Sequence, residues 1–207
     1  MCSSDLIGID KSGKWIINNH SEFILSADDP KNIKLNPEGE VFNFSNDNIK
    51  NFVETGTYKA TTTLMVSKHF DNVYTTEIVE KLHFDSIKLA AAQGVTNIEF
   101  LLGDSVELLK TITPKVVDGC VFFLDAHQSG HDTSNNGKNH VPLFQELDVI
   151  LSHNIRPSIY IIDDLRLFNK FWDWEGITTE TILNKFEEHG HKVESSFIDT
   201  DRFYVLT

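Results

Sequence analysis

Positive charge is scarce in this chain: 18 Lys and Arg stand against 31 Asp and Glu, a formal charge of -13 over 207 residues. That balance repels phosphate backbones and anionic membrane surfaces, and no local basic patch offsets it, so neither nucleic acid nor membrane is expected as a partner. Cysteine is nearly absent. Two residues cannot build a disulfide framework, and Cys120 falls in the apolar run Gly119-Cys120-Val121-Phe122-Phe123-Leu124, which reads as a buried strand. A reducing, cytoplasmic compartment fits. No apolar run approaches the roughly 20 residues that span a bilayer, and the N-terminus lacks a charged flank followed by an apolar segment. Internal repeats are missing, as are Gly-x-Gly-x-x-Gly and a Gly-Lys-Ser/Thr loop, so a pyrophosphate finds no close backbone cradle. With 40% hydrophobic and 11% aromatic residues, the length suits one well-buried core.

What is present is an alternation of strand and helix signals. Residues 49–54 are an apolar run closing on Glu54; the small turn Thr55-Gly56-Thr57 follows, and Thr61-Thr62-Thr63 opens a helix to about residue 69. An α/β protein presents a small ligand at a strand's carboxyl end in this way. Residues 72–78 predict a second strand bearing Glu77, and the helix formers through Gln93 stop at Gly94. Residues 98–102 predict a third strand, Gly103-Asp104-Ser105 a turn and cap, and residues 106–112 a helix. The run at 120–125 is apolar on both faces, which places it centrally in a parallel sheet. A polar, glycine-rich loop spans 126–140, and Pro142 starts a helix with Leu143, Phe144, Leu147, Ile150 and Leu151 at helical spacing. Residues 158–162 predict a fifth strand before Asp163-Asp164, residues 179–188 a last helix before Gly190, and residues 191–207 an antiparallel pair about Asp199-Thr200-Asp201. Residues 1–48 are less readable: 14–19 and 22–25 fit short strands or one helix with its entry loop, and periodicity does not decide. They are expected as an extension packing near the ligand site, ahead of one globular domain at 49–207.

Five strand-helix steps and a closing hairpin make the order of elements in class I S-adenosylmethionine-dependent methyltransferases, and residues 49–207 resemble that family. The resemblance implies a Rossmann-like α/β fold: a mostly parallel seven-stranded sheet, a C-terminal antiparallel hairpin, and helices on both faces. It implies S-adenosyl-L-methionine as cofactor. Glu54, Thr55, Gly56, Thr57 and Tyr58, with Thr61 and Thr62, match the turn against its methionine part. Glu77 matches the acid that meets the ribose hydroxyls, Gly103, Asp104 and Ser105 the turn at the adenine, and Asp125 adjoins the donor. The alternative for Glu54 and Glu77 is a helix cap or a solvated acid. Ala60 departs from the family, in which glycine is common at that position.

Asp125 ends the fourth strand, and Asp163 and Asp164 end the fifth. Adjacent parallel strands finish at one edge, so the three carboxylates should converge. Three like charges together are costly unless a cation neutralises them, and Mg2+, or else Mn2+ or Ca2+, suits an all-oxygen site. The alternative is that Asp163 caps the next element and Asp164 pairs with Arg166. The pattern looks like metal-dependent O-methyltransferases of the catechol and macrocin-sugar types. It is similar to methyltransferase domains of giant-virus (chlorovirus) and bacterial glycan-synthesis proteins; a viral chain would work in the host cytoplasm. A starting methionine before poorly patterned residues is compatible with a domain cut from a longer chain.

The resemblance implies methyl transfer to a hydroxyl of a sugar or glycan, the ion gripping two neighbouring oxygens and lowering the pKa of one. His127 is the first choice to take the proton and His131 the second, with Asp132 able to orient either ring. The aromatic-polar stretch at residues 167–175 suits stacking on a sugar ring and suits core anchoring equally. A monomer or homodimer is expected. The rivals are a metal-free N- or carboxyl-methyltransferase, a non-catalytic cofactor-binding module, and, third, a nicotinamide enzyme.

Overall fold

The computed structural model describes residues 49–127, 140–199 and 201–207, preceded by the backbone of five short strands. Those strands are β1 (Ile7–Ile9), β2 (Trp15–Ile17), β3 (Phe23–Leu25), β4 (Asn32–Leu35) and β5 (Val41–Asn43), paired antiparallel as β1-β2 and β3-β4-β5. The ambiguity at 14–19 and 22–25 thus resolves to strands. Whether residues 1–48 pack near the ligand site lies outside the described residues.

From residue 51 the chain runs β6 (Asn51–Thr55), α1 (Thr61–Val66), β7 (Asn72–Glu77), α2 (Glu80–Ala92), β8 (Ile98–Leu102), α3 (Ser105–Ile112), β9 (Cys120–Leu124), α4 (Leu143–Leu151), β10 (Ser158–Ile162), α5 (Thr179–Glu188), β11 (Ser195–Asp199) and β12 (Arg202–Leu206). The seven-stranded sheet has the order β11-β12-β10-β9-β6-β7-β8. Every pairing from β10 to β8 is parallel; β12 is antiparallel to both β10 and β11. β9 is the middle strand, as its two-faced apolar run requires, and all five of its residues are buried.

Strand periodicity divides the core. Phe122 and Leu124 face one side with Val53, Tyr160, Ile162, Phe203 and Val205, where α3, α4 and α5 bring Leu109, Ile112, Leu147, Ile150, Ile182 and Phe186. Val121 and Phe123 face the other with Phe52, Ile159 and Tyr204, covered by Val66 of α1. Helices therefore lie on both faces, as expected for a parallel sheet.

Register positions the site. Thr55 pairs with both Leu124 and Thr76, Leu124 with Ile162, and Glu77 with Leu102, so the parallel strands end almost level. From β6 the chain winds outward through β7 and β8, then returns to β9 and continues through β10. The crevice at the carboxyl ends of β6 and β9 is a topological switch point, the usual ligand position in open α/β sheets.

Candidate functional site

The turn leaving β6 is held against its neighbours by backbone. The N–H groups of Gly56 and Thr57 donate to the Thr76 carbonyl at 3.0 and 2.9 Å. Gly56 has φ +87, and a Cβ there would stand 2.6 Å from the carbonyl oxygen of Asp125 and 3.3 Å from Cα of Ala126. Glycine is required twice over, by the conformation and by the approach of β9. Tyr58 (φ 49) and Ala60 (φ 58) are also left-handed. The backbone at Ala60 is thus the one glycine adopts freely, and the methyl group is fully buried against Leu64 and Ala90.

Glu54 lies beneath this turn, 2% exposed, its Oε2 accepting the hydroxyls of Thr63 and, at 2.7 Å, Thr75. Burial pushes its carboxyl up to about 8 against the lowering effect of those bonds. It braces the turn from below. Thr55 is fully buried, Thr61 exposed and Thr62 half-buried at the start of α1.

Glu77 is oriented by the backbone on both sides, accepting Tyr58 N–H at Oε2 and Val79 N–H at Oε1, each at 2.8 Å. Each carboxylate oxygen has two lone pairs, so this anchoring leaves acceptor capacity for ligand hydroxyls. Burial raises its pKa, opposed by those N–H bonds. Gly103 N–H donates to the Glu77 carbonyl at 2.8 Å, which brings the third strand's turn alongside. Asp104 caps α3 through a 2.9 Å bond from Val106 N–H, and Ser105 is buried, its hydroxyl on Glu146.

Across the crevice, Asp125 and Asp164 meet through a histidine. His127 Nε2 lies 2.7 Å from Asp164 Oδ2, and Nδ1 lies 3.3 Å from Asp125 Oδ1. Burial opposes charge on this ring, but the two carboxylates outweigh it and hold its pKa at about 10. Asp125 is pushed up to about 6, by burial foremost and by the charges of Asp163 and Asp164, against its bond with His127. Asp164 is held below the usual range: burial acts upward, and His127 and Arg166 outweigh it. Its φ of 62 is a further left-handed strand end, and backbone strain of this kind gathers at ligand sites.

Asp163 does not join that group. Its carboxylate turns to Arg202 on β12, at 3.3 Å from Nε and 3.4 Å from Nη2, with both side chains buried. Arg166 contacts both Asp164 and Asp201, so the open alternative that Asp164 pairs with Arg166 holds. The three carboxylates thus end at one edge, as parallel strands require, but protein cations take up their charge: Arg202 for Asp163, Arg166 and His127 for Asp164. Two groups among the described residues bring their ligand atoms within 4.8 Å of one another: Asp125, His127 and Asp164, and Asp163, Asp164 and Asp201. His131 and Asp132 lie outside the described residues.

The aromatic stretch divides between the two roles its pattern allowed. Phe168 and Trp174 are buried and stack at 5.8 Å between ring centroids, and Trp174 meets His127 edge-on at 5.3 Å. Phe171 and Trp172 are 56% and 74% exposed, and Trp172 meets His140 at 4.9 Å. Sequence reasoning missed Glu146, Arg202 and Asp201. For Glu146 a signal existed: it falls on the Leu143, Leu147, Ile150 stripe of α4, so an acid was bound to be buried.

No protein-family model matches the chain, and no curated protein matches it significantly. Solved structures do. An S-adenosylmethionine-dependent methyltransferase of Clostridium acetobutylicum is similar with a TM-score of 0.53 at 9% identity, over 78% of this chain and 84% of that one. An O-methyltransferase of Bacillus cereus, solved with S-adenosylhomocysteine, gives 0.52 at 15% identity over 76% and 74%. The O-methyltransferase TomG of Streptomyces achromogenes, solved with S-adenosylmethionine, gives 0.51 at 14% over 76% and 72%. With this sheet order and terminal hairpin, and these likenesses in structure, the chain has the Rossmann-like fold of the class I S-adenosylmethionine-dependent methyltransferases.

Proposed function

We propose that the chain is an S-adenosylmethionine-dependent O-methyltransferase acting on a hydroxyl of a sugar or glycan with the help of a divalent cation. One observation carries the reading. At the switch point, a ligand turn without a phosphate cradle touches Asp125 of the neighbouring strand, and Asp125 leads into an acid-imidazole-acid group. The turn at Gly56 and Thr57, with Glu77 held by two N–H groups, suits an amino acid joined to a nucleoside. His127 is fixed in orientation through both nitrogens, and the two carboxylates hold its ring as a cation, so it takes the hydroxyl's proton only after giving up its own. Carboxylate oxygens suit Mg2+ or Mn2+, so Asp125 and Asp164, with Asp163 and Asp201 beside Asp164, would hold the ion. When bound, it supplies Lewis-acid lowering of the hydroxyl's pKa.

Exposed Phe171 and Trp172 support a sugar acceptor, because an aromatic face stacks on the apolar face of a pyranose. A charge of -13 disfavours polyanionic acceptors such as nucleic acid. A second reading, a metal-free methyltransferase, is favoured by one observation: Arg202, Arg166 and His127 already neutralise the acids. Calorimetry with S-adenosylhomocysteine, and radiolabelled methyl transfer to neutral vicinal-diol sugars before and after chelation, separate them. The proposal expects micromolar binding, transfer to a sugar hydroxyl, and loss of transfer on chelation with recovery on adding Mg2+. Turnover that survives exhaustive chelation favours the metal-free enzyme; no affinity for S-adenosylhomocysteine overturns both.

A further inference from the structure

Glu146 stands out among the buried groups because neither ligand recognition nor packing accounts for it. It lies on the apolar stripe of α4, 1% exposed, where a leucine or methionine would fill the space without the cost of burying an acid. Its two oxygens accept from two hydroxyls distant in sequence: Oε1 from Ser105 and Oε2 from Thr55, the latter at 3.4 Å. Thr55 is the last residue of β6, immediately before Gly56, and Ser105 opens α3 immediately after Asp104. Thr55 also receives the Asp125 N–H at 3.2 Å, on its hydroxyl and on its carbonyl. One buried carboxyl therefore joins the ends of β6 and β8 directly, and that of β9 through Thr55. α4, which carries it, begins three residues after His140.

We propose that Glu146 is a positioning residue for the cofactor: it sets the spacing between the turn at Gly56 and the turn at Asp104, and so the fit of one ligand spanning both. The inference rests on the S-adenosylmethionine reading above. Burial, which pushes the Glu146 carboxyl up to about 7, is consistent with a group held for its bonds. Glu146→Leu keeps the volume and removes both bonds. Glu146→Gln keeps one acceptor and adds an N–H donor that a hydroxyl can accept, so it rebuilds the network.

The experiment is titration calorimetry of the full chain with S-adenosylhomocysteine, at a temperature where circular dichroism shows each variant folded. Expected results are a Kd raised 10-fold or more in Glu146→Leu, and within about 3-fold of wild type in Glu146→Gln. Thr55→Val should weaken binding similarly although its fully buried side chain cannot touch the ligand, and should add little to Glu146→Leu, as members of one network behave. If Glu146→Leu does not fold, Thr55→Val alone decides. Binding within 2-fold of wild type in the folded variant, with only the melting temperature lowered, overturns the proposal and leaves a structural acid. Absence of binding to wild type overturns the cofactor reading beneath it instead.

Discussion

Gly56→Ala tests whether the contact between the β6 turn and the end of β9 holds the site together. The substitution has two costs. A non-glycine residue in a left-handed conformation costs about 1–2 kcal/mol. The added methyl would also stand 2.6 Å from the Asp125 carbonyl oxygen and 3.1 Å from its carbon, both backbone atoms that cannot rotate aside. Forcing an extra methyl into packed structure costs about 1–3 kcal/mol, so the total is about 2–5 kcal/mol. Gly94 and Gly190 supply the control: φ is +70 and +72, and nothing lies within 4 Å of the position a Cβ would take. Their alanine variants should lose only the conformational part, about 1–2 kcal/mol. In urea, with a slope of about 2 kcal/mol/M, Gly56→Ala moves the midpoint down by about 1–2.5 M and the controls by less than about 1 M. S-adenosylhomocysteine affinity, measured below the transition, should fall only in Gly56→Ala, since relief of the clash must separate Gly56 from Asp125. Equal midpoint shifts in all three variants would refute the argument from close approach.

Two further substitutions probe the charges. Glu54 has its folded pKa raised to about 8 from an ordinary value of 4.5, so the folded state holds the proton more tightly. Its contribution to stability is fully present below about pH 4.5 and is lost as pH rises towards 8. Glu54→Gln keeps the oxygen that Thr63 and Thr75 need, so its stability relative to wild type should improve from pH 5 to about pH 8 and level off above it in denaturant titrations; a difference independent of pH contradicts a buried, protonated Glu54. Asp163→Asn leaves Arg202 buried with its charge unpaired, which costs about 3–5 kcal/mol by precedent for broken buried pairs. A loss below about 1 kcal/mol would show that water or another acid reaches Arg202.

From residue 49 onward, sequence alone determined the elements and their order. β8, β10 and α5 occupy the residue ranges that periodicity and caps delimit, because their signals are local: alternation or apolar runs for the strands, and for α5 a stop at Gly190. The central place of β9 was legible for a similar reason, since an apolar run of five has no solvent face. Parallel strands ending level also placed Glu54, Glu77, Asp125, Asp163 and Asp164 at one edge.

Which groups touch at that edge was decided by the tertiary structure. Asp163 and Asp164 are adjacent in the chain, yet one turns to Arg202 and the other to His127 and Arg166. Only Arg166, two residues on, marks Asp164 locally; the other partners, Arg202 on β12 and His127 after β9, are brought in by the fold. The partner of Asp163 was hidden for the same reason: Arg202 is far away in sequence, and only the antiparallel return of β12 beside β10 brings it to Asp163. The aromatic stretch at 167–175 was undecidable for a comparable reason. Burial of Phe168 and Trp174 and exposure of Phe171 and Trp172 depend on how the segment lies against the sheet, and no pattern within it records that.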